Sequence, residues 1–328
     1  MNEVEIVKQN YDENPQKEWD RLDGFRYEFE ITKAMFNKYL NPCKVLDIGG
    51  GAGRYSIYLA SLGYDVTLVD LSHGNVDFAK AKAKELGVNI KAYQADARDL
   101  SQLNLGEFDT VLLMGPLYHL SSVEDREKCV LQAKRHLKKG GLLCATFLAL
   151  NSLLNYCLDE DVEELLRDTP SGLFDCMAEG RTWTGDAFTR ITLVDVDSIE
   201  PFFAKLGFNK ITLFGQEGVT ASCVRQLEAS SKELRELYLD LSLRLCEKYK
   251  YLSYSSHLMY IGKLVKLCEK DGIEYSKSTW TSRCCDDLEL TPCNQNDKRQ
   301  ELLEQLKKLK NGYVPIRDTG IKDNKNDT

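Results

Sequence analysis

The sequence lacks the marks of several protein classes. No uninterrupted apolar run approaches the roughly eighteen residues of a membrane-spanning helix, and the opening MNEVEIVKQN carries acids and no apolar core, so neither a span nor a secretory leader is expected. An excess of basic charge is missing too: 43 Lys and Arg stand against 51 Asp and Glu, a net charge of -8, which argues against a dedicated nucleic-acid binder. The 11 cysteines include no C-x-x-C pair, and most of them (Cys43, Cys129, Cys144, Cys157, Cys223 and Cys246) fall singly inside apolar or helical patterns, as reduced, buried thiols do. Cys268, Cys284, Cys285 and Cys293 gather near the end, but their spacing matches no standard zinc module, and no metal is expected. Internal repeats and low-complexity tracts are absent. These absences leave a cytoplasmic globular protein, whose 328 residues, 43% of them apolar, suffice for one large domain with insertions or for two domains.

What is present is a regular alternation of apolar runs and amphipathic stretches. Strands are expected at 44–48, 65–69, 90–94, 110–114 and 142–148, with helices between them that end at Gly63, Gly87 and the pair Gly140 and Gly141. Ser121 followed by Glu124 reads as the start of the last of these helices. A helix over 198–206 and strands at 210–214 and 257–261 complete the pattern. The prediction is an α/β fold: a doubly wound, mostly parallel sheet of seven strands, with helical insertions at about 151–196 and 217–253 that are free to fold over it as lids. Beyond residue 262 follows an extension with one amphipathic helix over 298–310 and a polar end that reads as disordered.

The stretch VLDIGGGAGRYS places four glycines, Gly49, Gly50, Gly51 and Gly53, between the first strand and the first helix of this pattern. Such a loop lets a ligand touch backbone, and the helix start directs amides toward it. The spacing is Asp47-x-Gly49-x-Gly51-x-Gly53, and the last position of a dinucleotide G-x-G-x-x-G falls on Arg54. No G-K-[ST] follows, which excludes a P-loop. Asp47 also argues against a diphosphate, because a carboxylate repels one and attracts an ammonium. A nucleotide cofactor with an amino-acid end fits both features.

At these residues the chain resembles the class I S-adenosylmethionine-dependent methyltransferases, over about residues 1–262. VTLVDLS ends in Asp70, placed as in that family to accept both ribose hydroxyls, with Leu71 beside the adenine. QADARDL offers Asp96 for the adenine amino group and Ala97 for a backbone contact; FDTVLLMGPLYHL, with Met114, matches the fourth strand and its exit loop, and LKKGGLLCATF the approach to the fifth. The resemblance implies S-adenosylmethionine as cofactor. Tyr11, in NYDENPQKEWDRL, matches a tyrosine that in related small-molecule enzymes closes over the methionine end; the alternative is an aromatic that packs its helix.

In a doubly wound sheet the ligand lies beyond the C-terminal strand ends at the switch point, which places MGPLYHL beside the transferred methyl. That loop lacks the N/D-P-P-Y of enzymes that methylate amino groups of bases or glutamine. His119 is the candidate proton acceptor or substrate anchor, or a histidine bonded to the loop backbone, and Tyr118 a wall of the pocket. Trp183 and Phe188 are candidates to line the acceptor pocket or to pack within a lid, and His257 to point from the last strand into the sheet face. The function implied is methyl transfer to an O, N or S nucleophile of a small molecule. An RNA methyltransferase and a cofactor-binding regulatory protein without turnover are the alternatives. Nothing in the sequence specifies an oligomeric state.

Overall fold

Three helices, α1 (Glu3–Glu13), α2 (Pro15–Gly24) and α3 (Arg26–Tyr39), precede the first strand. The computed structural model describes residues 3–24, 26–160, 162–163, 172–186 and 189–265, so Phe188, the four late cysteines and the helix expected over 298–310 lie outside the described residues. Strands and helices then alternate as β1 (Lys44–Ile48), α4 (Arg54–Ser61), β2 (Asp65–Asp70), α5 (His73–Glu85), β3 (Ile90–Gln94), β4 (Phe108–Leu113), α6 (Val123–Arg135) and β5 (Leu137–Ala149). The chain continues through α7 (Ser152–Asp159), α8 (Leu173–Glu179), β6 (Trp183–Asp186), β7 (Arg190–Val194), α9 (Val196–Lys205), β8 (Phe208–Gly215), α10 (Val224–Glu228), α11 (Lys232–Leu245) and β9 (His257–Leu264).

The strands form one sheet in the order β3-β2-β1-β4-β5-β7-β6, with β9 antiparallel to β5 and β8 antiparallel to β9. Strands β1 to β5 pair in parallel. Successive residues feed opposite faces: Leu46, Val111 and Leu113 enter a core with Phe203 and Tyr260, whereas Val45 and Leu112 enter another with Ile31, Phe36 and Met259. A sheet covered by helices on both sides requires this, and it explains why its strands read as nearly continuous apolar runs.

The doubly wound, mostly parallel sheet and its seven expected strands are all present, but the sheet has nine. The hairpin of β6 and β7 comes from the insertion expected to be a helical lid, and β7 joins the end of β5 through the pairs Leu148–Leu193 and Ala149–Val194. Four residues of β6 include a glycine and an aspartate, both poor strand formers, so their strand state depends on pairing with β7 rather than on their own pattern. The second insertion also differs from expectation. Leu227 and Cys246, from α10 and the end of α11, are buried with Tyr27 and Ile31 of α3, so these helices pack on a sheet-covering helix and not over the strand ends.

Two local signals take a different meaning in the structure. Ser122, not Ser121, caps α6, accepting the Asp125 N–H at 3.0 Å. The glycine pair at 140–141 does not stop that helix, which ends at Arg135; it lies within β5, where Gly140 has φ 76° and the absent Cβ of Gly141 admits the Asp109 carbonyl. The pairing with β4 shifts register there, between Phe108 and Thr110, so the glycines serve an irregularity of the strand.

Candidate active site

The order of the strands reverses between β1 and β4, and a cavity opens there at their C-terminal ends. The glycine loop forms its floor. The amides of its four glycines bond within the protein rather than to the cavity. The N–H groups of Gly49 and Gly50 donate to the Val69 carbonyl at 2.7 and 3.3 Å, that of Gly51 to Asp70 Oδ2 at 2.8 Å, and that of Gly53 to the Gly50 carbonyl at 3.0 Å. A Cβ at Gly49 would lie 2.4 Å from Pro116 Cγ, and one at Gly53 would lie 2.9 Å from the Ala79 Cβ. Gly51, with φ 56°, would meet nothing nearer than Glu18 Cγ at 3.6 Å. Gly49 is therefore required by the exit loop of β4 and Gly53 by α5, while Gly51 keeps its open side toward the cavity. Gly53 does not line it.

Two buried carboxylates flank this floor. Asp47 is 2% exposed; its Oδ2 accepts the Ser56 hydroxyl at 2.7 Å, and its Oδ1 has no partner. Burial pushes its pKa up to about 7. A cation at Oδ1 would satisfy that oxygen and restore the charge, so the site fits a cofactor with an ammonium end. Asp70, at the end of β2, accepts from the N–H of Ser72 at 2.9 Å, from Asn75 Nδ2 at 3.4 Å and from Gly51. A carboxylate has about four lone-pair sites, so Asp70 retains capacity for a further donor.

Leu71, Ala97 and Met114 line the cavity as expected, and so does Asp96, but its carboxylate is engaged. The Arg98 guanidinium donates to both oxygens, with Nε to Oδ1 at 3.0 Å and Nη2 to Oδ2 at 2.6 Å, and reaches Asp125 at 2.8 Å. Burial raises the Asp96 pKa, but these hydrogen bonds outweigh it and hold the group below the usual carboxylate range.

The cover over the cavity is built from α1 and α2, which contribute Lys8, Tyr11, Glu18, Arg21 and Leu22 to its lining; among the described residues neither insertion contributes any. Asp12 fastens α1 to the start of α5, accepting the Ser72 hydroxyl at 2.6 Å and the Gly74 N–H at 3.2 Å. Next to Asp12, Tyr11 meets the exit loop of β4: its hydroxyl lies 2.9 Å from His119 Nε2. His119 Nδ1 faces the Arg190 carbonyl at 3.2 Å, and burial lowers the imidazole to about 4. Tyr118 lines the wall beside it.

Of the far wall the sequence reading names only His257, as a residue that points into the sheet face, and neither Glu28 nor Glu217. His257, at the start of β9, lines the cavity; its Nδ1 is hydrogen-bonded to Glu217 Oε1 and lies 3.9 Å from Glu28 Oε2. Glu217 Oε2 accepts the N–H groups of Ser256 and His257 at 3.1 and 3.0 Å. Glu28 is held by Arg21, with Nη1 to Oε2 at 2.9 Å, and by the Tyr55 hydroxyl at 3.3 Å. Burial alone would raise the Glu28 pKa and lower that of His257. The Arg21 charge reverses the first, together with His257, and the carboxylates of Glu217 and Glu28 reverse the second, leaving His257 above its ordinary value. Donor atoms of Glu28, Glu217 and His257 lie within 4.8 Å of one another, a spacing that suits a divalent ion, but here the ring proton of His257 and the Arg21 guanidinium occupy the carboxylates.

One signal for this wall exists in the sequence. The buried stripe of α3 comprises Tyr27, Glu28, Ile31, Thr32, Met35 and Phe36, so an acid and a threonine occupy positions whose spacing faces the core. Thr32 accepts from Gln216 Nε2 at 2.9 Å, and Gln216 Oε1 accepts from Thr146 at 2.9 Å, which joins α3 to β5 beneath the cavity. Trp183, by contrast, is 6% exposed in a separate cluster with Leu148, Leu173 and Leu193 and does not line the cavity, because β6 extends the sheet edge.

A profile of the family described as "Methyltransferase domain" matches residues 45–141. Residues 45–141 are a methyltransferase domain. Ubiquinone biosynthesis O-methyltransferase of Xanthomonas euvesicatoria pv. vesicatoria is 34% identical over 131 residues, covering 40% of this chain and 52% of that protein. The protein of the same name from Rickettsia akari is 30% identical over 124 residues, covering 37% and 47%. The chain thus spans about half the length of the curated relatives it matches. Magnesium protoporphyrin IX methyltransferase (ChlM) from Synechocystis PCC 6803, solved with bound SAH, shares the fold at 15% identity and a TM-score of 0.50, over 80% of this chain and 99% of its own. The methyltransferase domain contains Asp47, the glycine loop, Asp70 and His119, whereas the cover helices and the wall of Glu28, Glu217 and His257 fall outside the matched stretch. No helix among the described residues is long and apolar enough to cross a membrane.

Proposed function

We propose that the whole chain transfers a methyl group from S-adenosylmethionine to a hydroxyl oxygen of a small molecule. The observation that carries this reading is Asp47 Oδ1, a buried carboxylate oxygen without a partner on a residue that lines the cavity. The amino-acid end of the cofactor would take Asp47, its ribose Asp70, and its adenine the surface of Leu71, Ala97 and Met114. Bound there, the cofactor supplies a methyl group already activated on a sulfonium. The protein's part is to orient the acceptor and exclude water, which accounts for several orders of magnitude in rate. Helices α1 and α2 provide the cover, and the contact of Tyr11 with His119 joins it to the exit loop of β4. A histidine near pKa 4 is a poor base at neutral pH, so of the roles open to His119 the geometry favours that of an anchor.

The oxygen acceptor is supported by the O-methyltransferase relatives. A small acceptor rather than RNA is supported by the net charge of -8, which provides no excess of basic residues to neutralise phosphates. The seven described cysteines are all free thiols, which fits a reducing compartment such as the cytoplasm. Calorimetry with S-adenosylmethionine, followed by mass spectrometry of a small-molecule extract incubated with methyl-labelled cofactor, tests the reading. Labelled methyl ether products support it; tight binding with no labelled product would favour a regulatory protein, and absence of binding would end the proposal.

A further inference from the structure

The exit loop of β4 supplies no strong base, yet a hydroxyl acceptor must lose its proton as it is methylated. The far wall contains a second histidine with the opposite electrostatic setting. His257 lines the cavity with its side chain 15% exposed, Nδ1 is committed to Glu217, and Nε2 has no hydrogen-bond partner among the described residues. Glu217, 4% exposed, is itself fixed by two backbone N–H groups, those of Ser256 and His257, so the carboxylate cannot turn away from the ring. A carboxylate that fixes one ring nitrogen leaves the other as the lone pair and stabilises the imidazolium that forms when that nitrogen takes a proton.

Resting on the function proposed above, we propose that His257 Nε2 is the proton acceptor for the attacking hydroxyl and that Glu217 is its positioning residue. The acceptor oxygen bonds to the methyl carbon as the carbon–sulfur bond breaks. The hydroxyl proton passes to Nε2, the cofactor leaves as a neutral thioether, and the positive charge moves from sulfur to the imidazolium of His257, held between Glu217 and Glu28. The groups facing the ring are Glu217, Glu28, Arg21 and Tyr118. The carboxylates outweigh burial and Arg21 and raise the imidazole above its ordinary value, so the basic form dominates only on the alkaline side and the rate rises with pH through that raised value.

The test uses the full chain with two probes, catechol, whose hydroxyl keeps its proton at neutral pH, and 4-nitrocatechol, which is largely ionised there. His257→Gln is expected to lower kcat for catechol by about 10²–10⁴-fold and to affect 4-nitrocatechol much less, because an ionised acceptor needs no base. Affinity for S-adenosylhomocysteine, measured by calorimetry, stays unchanged. Glu217→Gln shifts the inflection of the catechol pH profile to lower pH, and Glu217→Asp retains it near the wild-type position; a purely structural role of Glu217 would leave the inflection in place. Melting temperatures show which variants fold, and His257→Gln alone still decides the matter if Glu217→Gln does not. Equal losses with both probes, no loss with either, or no methylation of either probe by wild type that binds S-adenosylhomocysteine overturn the assignment. Activity abolished by a chelator and restored by Mg²⁺ overturns it too, by making the trio a metal site. Failure of wild type to bind S-adenosylhomocysteine instead overturns the underlying function.

Discussion

The hydroxyl of Tyr11 on α1 hydrogen-bonds Nε2 of His119 on the exit loop of β4, at 2.9 Å across 108 residues of chain. The Arg190 carbonyl can only accept, so His119 Nδ1 carries the ring proton, Nε2 carries the lone pair, and Tyr11 donates. The bond therefore needs a neutral imidazole, which the lowered pKa of about 4 maintains at ordinary pH.

Tyr11→Phe and His119→Ala should accordingly act as one change. Each alone is expected to weaken S-adenosylhomocysteine binding, and the double variant to bind about as well as either, with a coupling of about 0.5–3 kcal/mol. A calorimetric double-mutant cycle measures this, and strictly additive losses would separate the cover helix from the loop. Between pH 4 and 6.5 unfolded chains bind a proton at this histidine that the native state does not, so stability falls as pH drops through that window. His119→Gln should flatten that acid limb.

Asp47 titrates in the opposite sense. With its folded pKa raised to about 7, the native state holds a proton that the unfolded chain releases near pH 4, so stability declines as pH rises from about 4 to about 7. Asp47→Asn should raise the melting temperature of the cofactor-free protein at pH 7.5 while weakening S-adenosylmethionine binding by about 1.5–3 kcal/mol, the range for a hydrogen bond to a charged group. Binding at pH 6 should release a proton, visible as a dependence of the calorimetric heat on the ionisation enthalpy of the buffer. Binding without proton release would remove Asp47 from the contact with the ammonium.

Two glycines of one loop should give different phenotypes. Gly49→Ala places a methyl 2.4 Å from Pro116 and is expected to reduce stability first, whereas Gly51→Val leaves the packed chain clear and projects into the cavity. At φ 56° the valine variant still carries a backbone cost of about 1–3 kcal/mol, so its melting temperature falls moderately and its cofactor binding is lost. Normal binding by Gly51→Val would show that the cofactor does not approach this loop.

The pair of Arg21 and Glu28 allows a stability test of the far wall. Arg21→Met leaves Glu28 buried beside Glu217 with only His257 to balance it, and should cost about 3–5 kcal/mol in denaturant unfolding. Adding Glu28→Gln should recover part of that loss, because the uncompensated charge is gone. A double variant no more stable than Arg21→Met would mean that Arg21 acts through packing instead.

The sequence by itself determined the strand and helix alternation, the position of the glycine loop, and the carboxylates at the ends of β1 and β2. Each of these is written in short-range periodicity or turn chemistry, which needs no partner elsewhere in the chain. The structure decided what those signals mean in contact. Gly140 and Gly141 look like a helix stop in sequence and become a strand irregularity because Asp109 of the neighbouring strand approaches them. β6 forms because β7 pairs with it, and Trp183 is drawn into that edge rather than into the cavity. Glu28, Glu217 and His257 come from α3, the turn after β8 and the start of β9, and their meeting depends on the closure of the whole sheet. Local pattern can mark a buried acid such as Glu28 as out of place, but only tertiary packing supplies the partners that make it tolerable, because those contacts join segments whose sequence separation local propensity does not span.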